Sequence, residues 1–300
     1  MTPPNRLPWR EGTIRITIAL MLIFALFIAW ETLPRQSLSA HANKLDLALY
    51  RLTGLQRDLD HLKTHYGLNL TTDLTPDNYK LSWLDADSGQ LSRNTKVVLI
   101  TDANDFARCV RAVIPAIQRY APALMRQHLS SVYCLDGLTL GSTAAGGTYD
   151  SAQRSVYVII KNSDASLSSS AWLKETFHHE FSSLLMKAHG FDEGAWRQAA
   201  GLAFRYEQDE DPWFDWMFFG GLIDPVEDSV LFNRGLLRLY SETGVENDFN
   251  TYAQTIFVQP EVMRPLIAQY PIIARKYQLF KDFYLGIDPG LAPVFAAIEG

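Results

Sequence analysis

Lys174-Glu-Thr-Phe-His-His-Glu-Phe-Ser-Ser-Leu-Leu-Met-Lys-Ala-His189, followed at once by Gly190, is the stretch on which the reading of this chain turns. It contains no proline, and a glycine stands where a helix reverses into the left-handed region, so it predicts a helix over Ala171–His189 stopped by Gly190. The polar run Ser163–Ser170 supplies the loop and the cap before it. Residues four apart share a helix face, so Glu175, His179 and Ser183 fall on one stripe, while His178 and Glu180 stand to either side.

Outward from this helix the chain reads as mixed α and β. Ser131–Leu140 and Ser155–Ile160 predict two strands, joined as a hairpin through the glycine-rich turn Gly141–Gly147. That turn lacks a Lys-Ser/Thr ending and a following helix start, so it does not read as a phosphate loop. Lys96–Ile100 predicts a buried strand, and Asp102 and Asp105 cap a helix running to about Tyr120. Thr71–Thr95 reads as loop, and Ala42–Tyr66 carries a helical leucine stripe suited to a stalk or a first packing helix. Downstream lie an aromatic segment, Phe191–Tyr206, a denser one, Pro212–Phe219, assigned to the core, and an acidic helix at Glu246–Ala253.

The chemistry rests on His179 and Glu180. A helix carrying His-Glu-x-x-His places two imidazoles on one metal while the Glu takes a proton from metal-bound water. Here the last position of that pattern holds Ser183, whose neutral hydroxyl is a poor zinc ligand. With Phe177-His-His-Glu-Phe-Ser-Ser183, with Phe191, Trp196 and Phe204-Arg-Tyr206, and with Tyr240-Ser-Glu-Thr-Gly-Val-Glu-Asn-Asp-Phe249, the chain resembles bacterial secreted zinc-metallopeptidase-like proteins of the gluzincin type. The resemblance covers about Val132–Phe257.

It implies an α+β, zincin-like fold, with a small mixed sheet, an active-site helix and a helical C-terminal half. It implies zinc as cofactor, Glu180 as catalytic base, and metal ligands drawn from His179, Ser183, Glu246 and Asp248. Matching Phe249 to the family's phenylalanine puts the last ligand position on Asn247, and Glu246 reaches it only after a slip of one residue. His178 and His189 are further candidates. His189 stands ten residues after His179, as in the longer metzincin pattern, although Met186 replaces that pattern's helix-breaking glycine. Tyr206 and Tyr240 are candidates for stabilising an oxyanion.

Composition bounds the rest. At 47% apolar and 20% charged, the chain can bury a core of its own. A net charge of −6, without a Lys/Arg run outside the N-terminus, excludes a nucleic-acid footprint. Arg6, Arg10 and Arg15 precede an apolar run to Trp30, which predicts a cytoplasmic segment over 1–12 and a retained signal anchor over 13–31. A stalk or first helix over 32–70 and a globular domain over 71–300 follow, the latter in the periplasm or extracellular space beyond an inner membrane spanned once. In an oxidising compartment Cys109 and Cys134 either close a disulfide or remain two buried thiols.

Two functions follow. The first is a membrane-anchored, zinc-dependent peptidase acting on a peptide or protein substrate by metal-activated water. The second is a catalytically inactive relative that binds a peptide or envelope partner in the same cleft. Ser183 and Asn247 favour the second. A third, a membrane-tethered scaffold, rests only on the leucine stripe. The sequence sets no oligomeric state.

Overall fold

The computed structural model describes residues 46–161, 169–201, 204–207 and 228–300. The leucine stripe enters the core late. Leu52 is 77% exposed, whereas Leu55 and Leu59 pack partly against the core and Leu62 is fully buried. These last three belong to α1 (Leu55–His61) and the wider turn that continues it over Leu62–Tyr66. Gly67, at a φ of 67°, reverses the chain into β1 (Asn69–Thr71), a conformation that a side chain would resist.

The chain continues through β2 (Thr95–Leu99), α2 (Ala103–Ile117), α3 (Pro122–His128), β3 (Ser131–Leu140), β4 (Thr143–Ala144), β5 (Gly147–Asp150) and β6 (Ser155–Ile159). As foreseen, Asp102 caps α2, its side chain accepting from the Asn104 amide at 2.8 Å. Central to the sheet is β3, which pairs in parallel with β1 and β6 and antiparallel with β2 and β4. Two sequence expectations change here. Residues 95–99 form a half-exposed strand rather than a buried one, because β2 flanks only the far half of β3. The strands at 131–140 and 155–159 are parallel neighbours, not a hairpin. The glycine-rich segment folds β4 back onto β3 and then sends β5 out to pair antiparallel with β6, so the hairpin is β5–β6.

Alternation along β3 and β6 gives the sheet two covered faces. Val132, Cys134, Val156 and Val158 face the large core shared with the helices. Tyr133, Leu135, Tyr157 and Ile159 face a smaller cluster closed by Leu74 and Trp83, so the polar 71–95 segment serves as a lid of turns over the second face. Cys134 lies on the helix side and is disulfide-bonded to Cys109 of α2. Of the two states left open, the cross-link is the one the structure holds.

The helical half consists of α4 (Ser170–His189), α5 (Glu193–Ala200), α6 (Asp228–Asn233), α7 (Val245–Val258), α8 (Pro260–Gln269), α9 (Pro271–Ile287) and α10 (Ala292–Glu299). The Ser169 side chain caps α4, and Gly190, at a φ of 63°, ends it. Every residue from Glu175 to Met186 is buried, because α4 lies between β5 and β6 on one side and α2 and α7 on the other. An α+β chain with a mixed sheet and a helical C-terminal half is therefore what this sequence forms. No helix among the described residues is long and apolar enough to cross a membrane. The foreseen anchor at 13–31 and the aromatic stretch at 212–219 lie outside the described residues.

Candidate functional site: the cleft between α4, α7 and the β5 edge

A helix sandwiched on all sides must bury whatever polar groups it carries, and most of those on α4 are met by partners from neighbouring elements. Glycine at 147 brings β5 against this helix. A Cβ there would stand 2.4 Å from Thr176 Cγ2 and 2.9 Å from Glu180 Oε1, so only a residue without a side chain permits the approach. Two residues on, and on the same face of the strand, Tyr149 reaches the same place. Burial pushes its hydroxyl up, and the carboxylates of Glu246 and Glu180 push it further.

Ser183 is the hinge of the site. Its hydroxyl donates to Glu246 Oε1 at 2.7 Å and accepts from Asn250 Nδ2 at 2.7 Å. Both partners come from α7, one turn apart, so a single hydroxyl pins that helix to α4. The second Glu246 oxygen lies 3.4 Å from Lys187 Nζ, and the carboxylate stays one-third exposed. Beside it, burial drives the His179 imidazole down to about 4, against the opposing influence of Glu246, Asn247 and Gln254. Burial, reinforced by Glu246, raises Glu180 to about 8, with Lys80 opposing. At neutral pH the cleft thus presents a neutral imidazole and a protonated carboxyl. The Tyr240 ring lies 5.8 Å from that of His179, centre to centre, and burial, reinforced by Glu180 and Glu246, raises its hydroxyl.

The remaining expected site residues lie elsewhere. His178 is turned into the core, where Nδ1 meets the Tyr120 hydroxyl at 2.8 Å and the ring stacks on Phe257; burial takes it to about 3. Asp248 is fully buried on the opposite side of α7. Its Oδ2 accepts from Lys276 Nζ at 2.6 Å, Tyr206 at 2.6 Å and Trp196 Nε1 at 2.8 Å. The Lys276 ammonium thus neutralises Asp248, and Tyr206 is committed to the same carboxylate rather than to the cleft. His189, at the far end of α4, faces His128 with 3.0 Å between their Nε2 atoms. Glu175 lies one turn before His179 and is held by Arg238 at 2.8 Å and Gln259 at 2.9 Å.

These donors do not fit a zinc centre of the resembling family. His179 and Glu246 adjoin, but the third position holds a hydroxyl that donates its proton to Glu246, so ligand and would-be ligand already satisfy each other. Among the described residues no three His, Cys, Asp or Glu side chains converge on a common point. The sequence reading missed Tyr149, Lys80, Asn250 and Gln254. A usable signal existed only for Tyr149, which sits two residues after Gly147 and so shares its strand face. Compared with family models, with curated proteins and with solved structures, the chain matches none.

Proposed function

We propose that this chain is a membrane-anchored protein whose exported globular part binds an extended peptide or envelope partner in a zincin-like cleft without hydrolysing it. The observation that carries this reading is the Ser183 hydroxyl, bonded to both Glu246 and Asn250 at the place where a second zinc-binding imidazole is needed. A hydroxyl so engaged holds two helices together; it does not ligate.

Two further features support a binding role. Among the described residues β5 pairs on one side only, with β6, and leaves backbone groups on its other side for an added strand. Beside that edge lie neutral hydrogen-bonding groups, the Glu180 carboxyl and the His179 imidazole buried, and Tyr149 and Tyr240 partly exposed. Such groups suit peptide amides better than they suit ions. The membrane attachment and the extracytoplasmic location in this reading rest on residues 13–31 of the sequence.

The peptidase reading keeps one observation in its favour, since the Glu246 carboxylate influences both His179 and Glu180 from within one cleft. Metal analysis of the detergent-purified full-length chain separates the two. The binding reading expects no zinc that depends on His179, and no cleavage of a mixed peptide library. One zinc per chain that disappears in His179→Ala but persists in His189→Ala, together with peptide cleavage lost in Glu180→Gln, would overturn it.

A further inference from the structure

Well away from the cleft, α3 and α4 each end on a histidine, His128 and His189. We infer that these two residues form a second, independent site: a paired-imidazole seat for a late first-row transition-metal cation, Cu(II) ahead of Zn(II).

Geometry carries the inference. Their Nε2 atoms stand 3.0 Å apart, and their ring centres 4.7 Å apart with the planes inclined at 59°. Two imidazoles meeting head-on in a hydrogen bond of that length would hold their centres about 5.3 Å apart. With metal–nitrogen bonds of about 2.0–2.1 Å, two imidazoles sharing one ion at a right angle hold their nitrogens about 2.9 Å and their centres about 4.5 Å apart. The two Nε2 atoms share a bent hydrogen bond, and the 4.7 Å between ring centres is nearer the converging arrangement than the head-on one. A right angle suits the tetragonal preference of Cu(II), whereas tetrahedral zinc asks for nitrogens about 3.3 Å apart.

The surroundings suit a cation that keeps water on its open side. His128 is buried and His189 exposed, so one ligand is fixed and the other can adjust. Both end their helices, where unsatisfied carbonyls favour positive charge. Arg154 is the opposing charge, and its guanidinium is turned to the carbonyl of Gln127 at 3.0 Å. Ten helical residues separate His189 from His179, about 15 Å along the axis, so neither site's occupancy depends on the other.

Among the described residues a competing histidine pair is His61 and His65, whose rings stack at 5.1 Å on an exposed turn. The test is a Cu(II) titration of the detergent-purified full-length chain against a chelator of known affinity, with electron paramagnetic resonance reading the coordinated nitrogens. One Cu(II) with two imidazole nitrogens is expected. Its affinity should fall at least about tenfold in His189→Ala, which removes one of two ligands at an exposed position and leaves the core intact. His65→Ala and His179→Ala should leave it unchanged. Unaltered binding in His189→Ala, or loss of the same signal in either control, would overturn the assignment. Because the probe is copper at 128 and 189, its failure leaves the reading of the His179 cleft standing, and the converse also holds.

Discussion

Glu246 and Asp248 lie two residues apart in the first turn of α7, and their fates are opposite. Glu246 is one-third exposed, accepts a hydrogen bond from the Ser183 hydroxyl and lies beside Lys187. Asp248 is sealed, with no exposure on its side chain or on that of Lys276. On a helix, residues two apart point nearly to opposite sides, so both cannot serve one cleft. The first is therefore a partly exposed group, and the second is a closed structural pair. Acidity near a helix start carries no functional meaning until the face is known.

Breaking the sealed pair should have the largest effect. Lys276→Met leaves the Asp248 carboxylate buried without its cation, and should cost about 3–5 kcal/mol of stability in denaturant unfolding. Glu246→Gln, on the exposed side, should cost less than about 1 kcal/mol. Equal losses in the two variants would end the distinction drawn here.

Next comes a pH effect that belongs to the cleft alone. Glu180 titrates at about 8 when folded, above its value in the unfolded chain, so it stabilises the fold at low pH and that contribution fades as pH rises towards 8. His179 and His178, lowered to about 4 and about 3, act in the opposite sense, with stability rising as they lose their protons up to the ordinary histidine value. Between pH 6.5 and 8 only the Glu180 trend remains among these three groups. Stability should decline there at up to about 1.4 kcal/mol per pH unit, and Glu180→Gln should flatten the slope. An unchanged slope in that variant would show that another group is responsible.

A more local effect is expected at Ser183. Removing its hydroxyl strands the buried Asn250 amide and frees Glu246, so Ser183→Ala should cost about 1–2 kcal/mol by thermal unfolding. A cost near zero would mean that the link between α4 and α7 is carried by apolar packing alone.

Local signals were enough for much of the architecture. The cap at Asp102, the helix stop at Gly190 and the extent of α4 were legible because each depends on residues within one turn. Strand pairing was not legible. Nothing local distinguishes a β3–β6 hairpin from the parallel arrangement, which depends on β5 being inserted at the edge. The half-exposed state of β2 escaped for the same reason, since an apolar run looks alike at the edge and at the centre of a sheet.

The candidate site divides along the same line. Helical spacing, an intrinsic property of the chain, already sets His179, Glu180 and Ser183 on one helix and lets Ser183 break the metal-binding pattern. Packing of the helices is what joins Glu246 to them and not Asp248, turns His178 inward, and brings His189 to a histidine from another helix. Those outcomes depend on how α4 and α7 rotate to bury their apolar faces, a sum over many distant contacts that no short segment encodes.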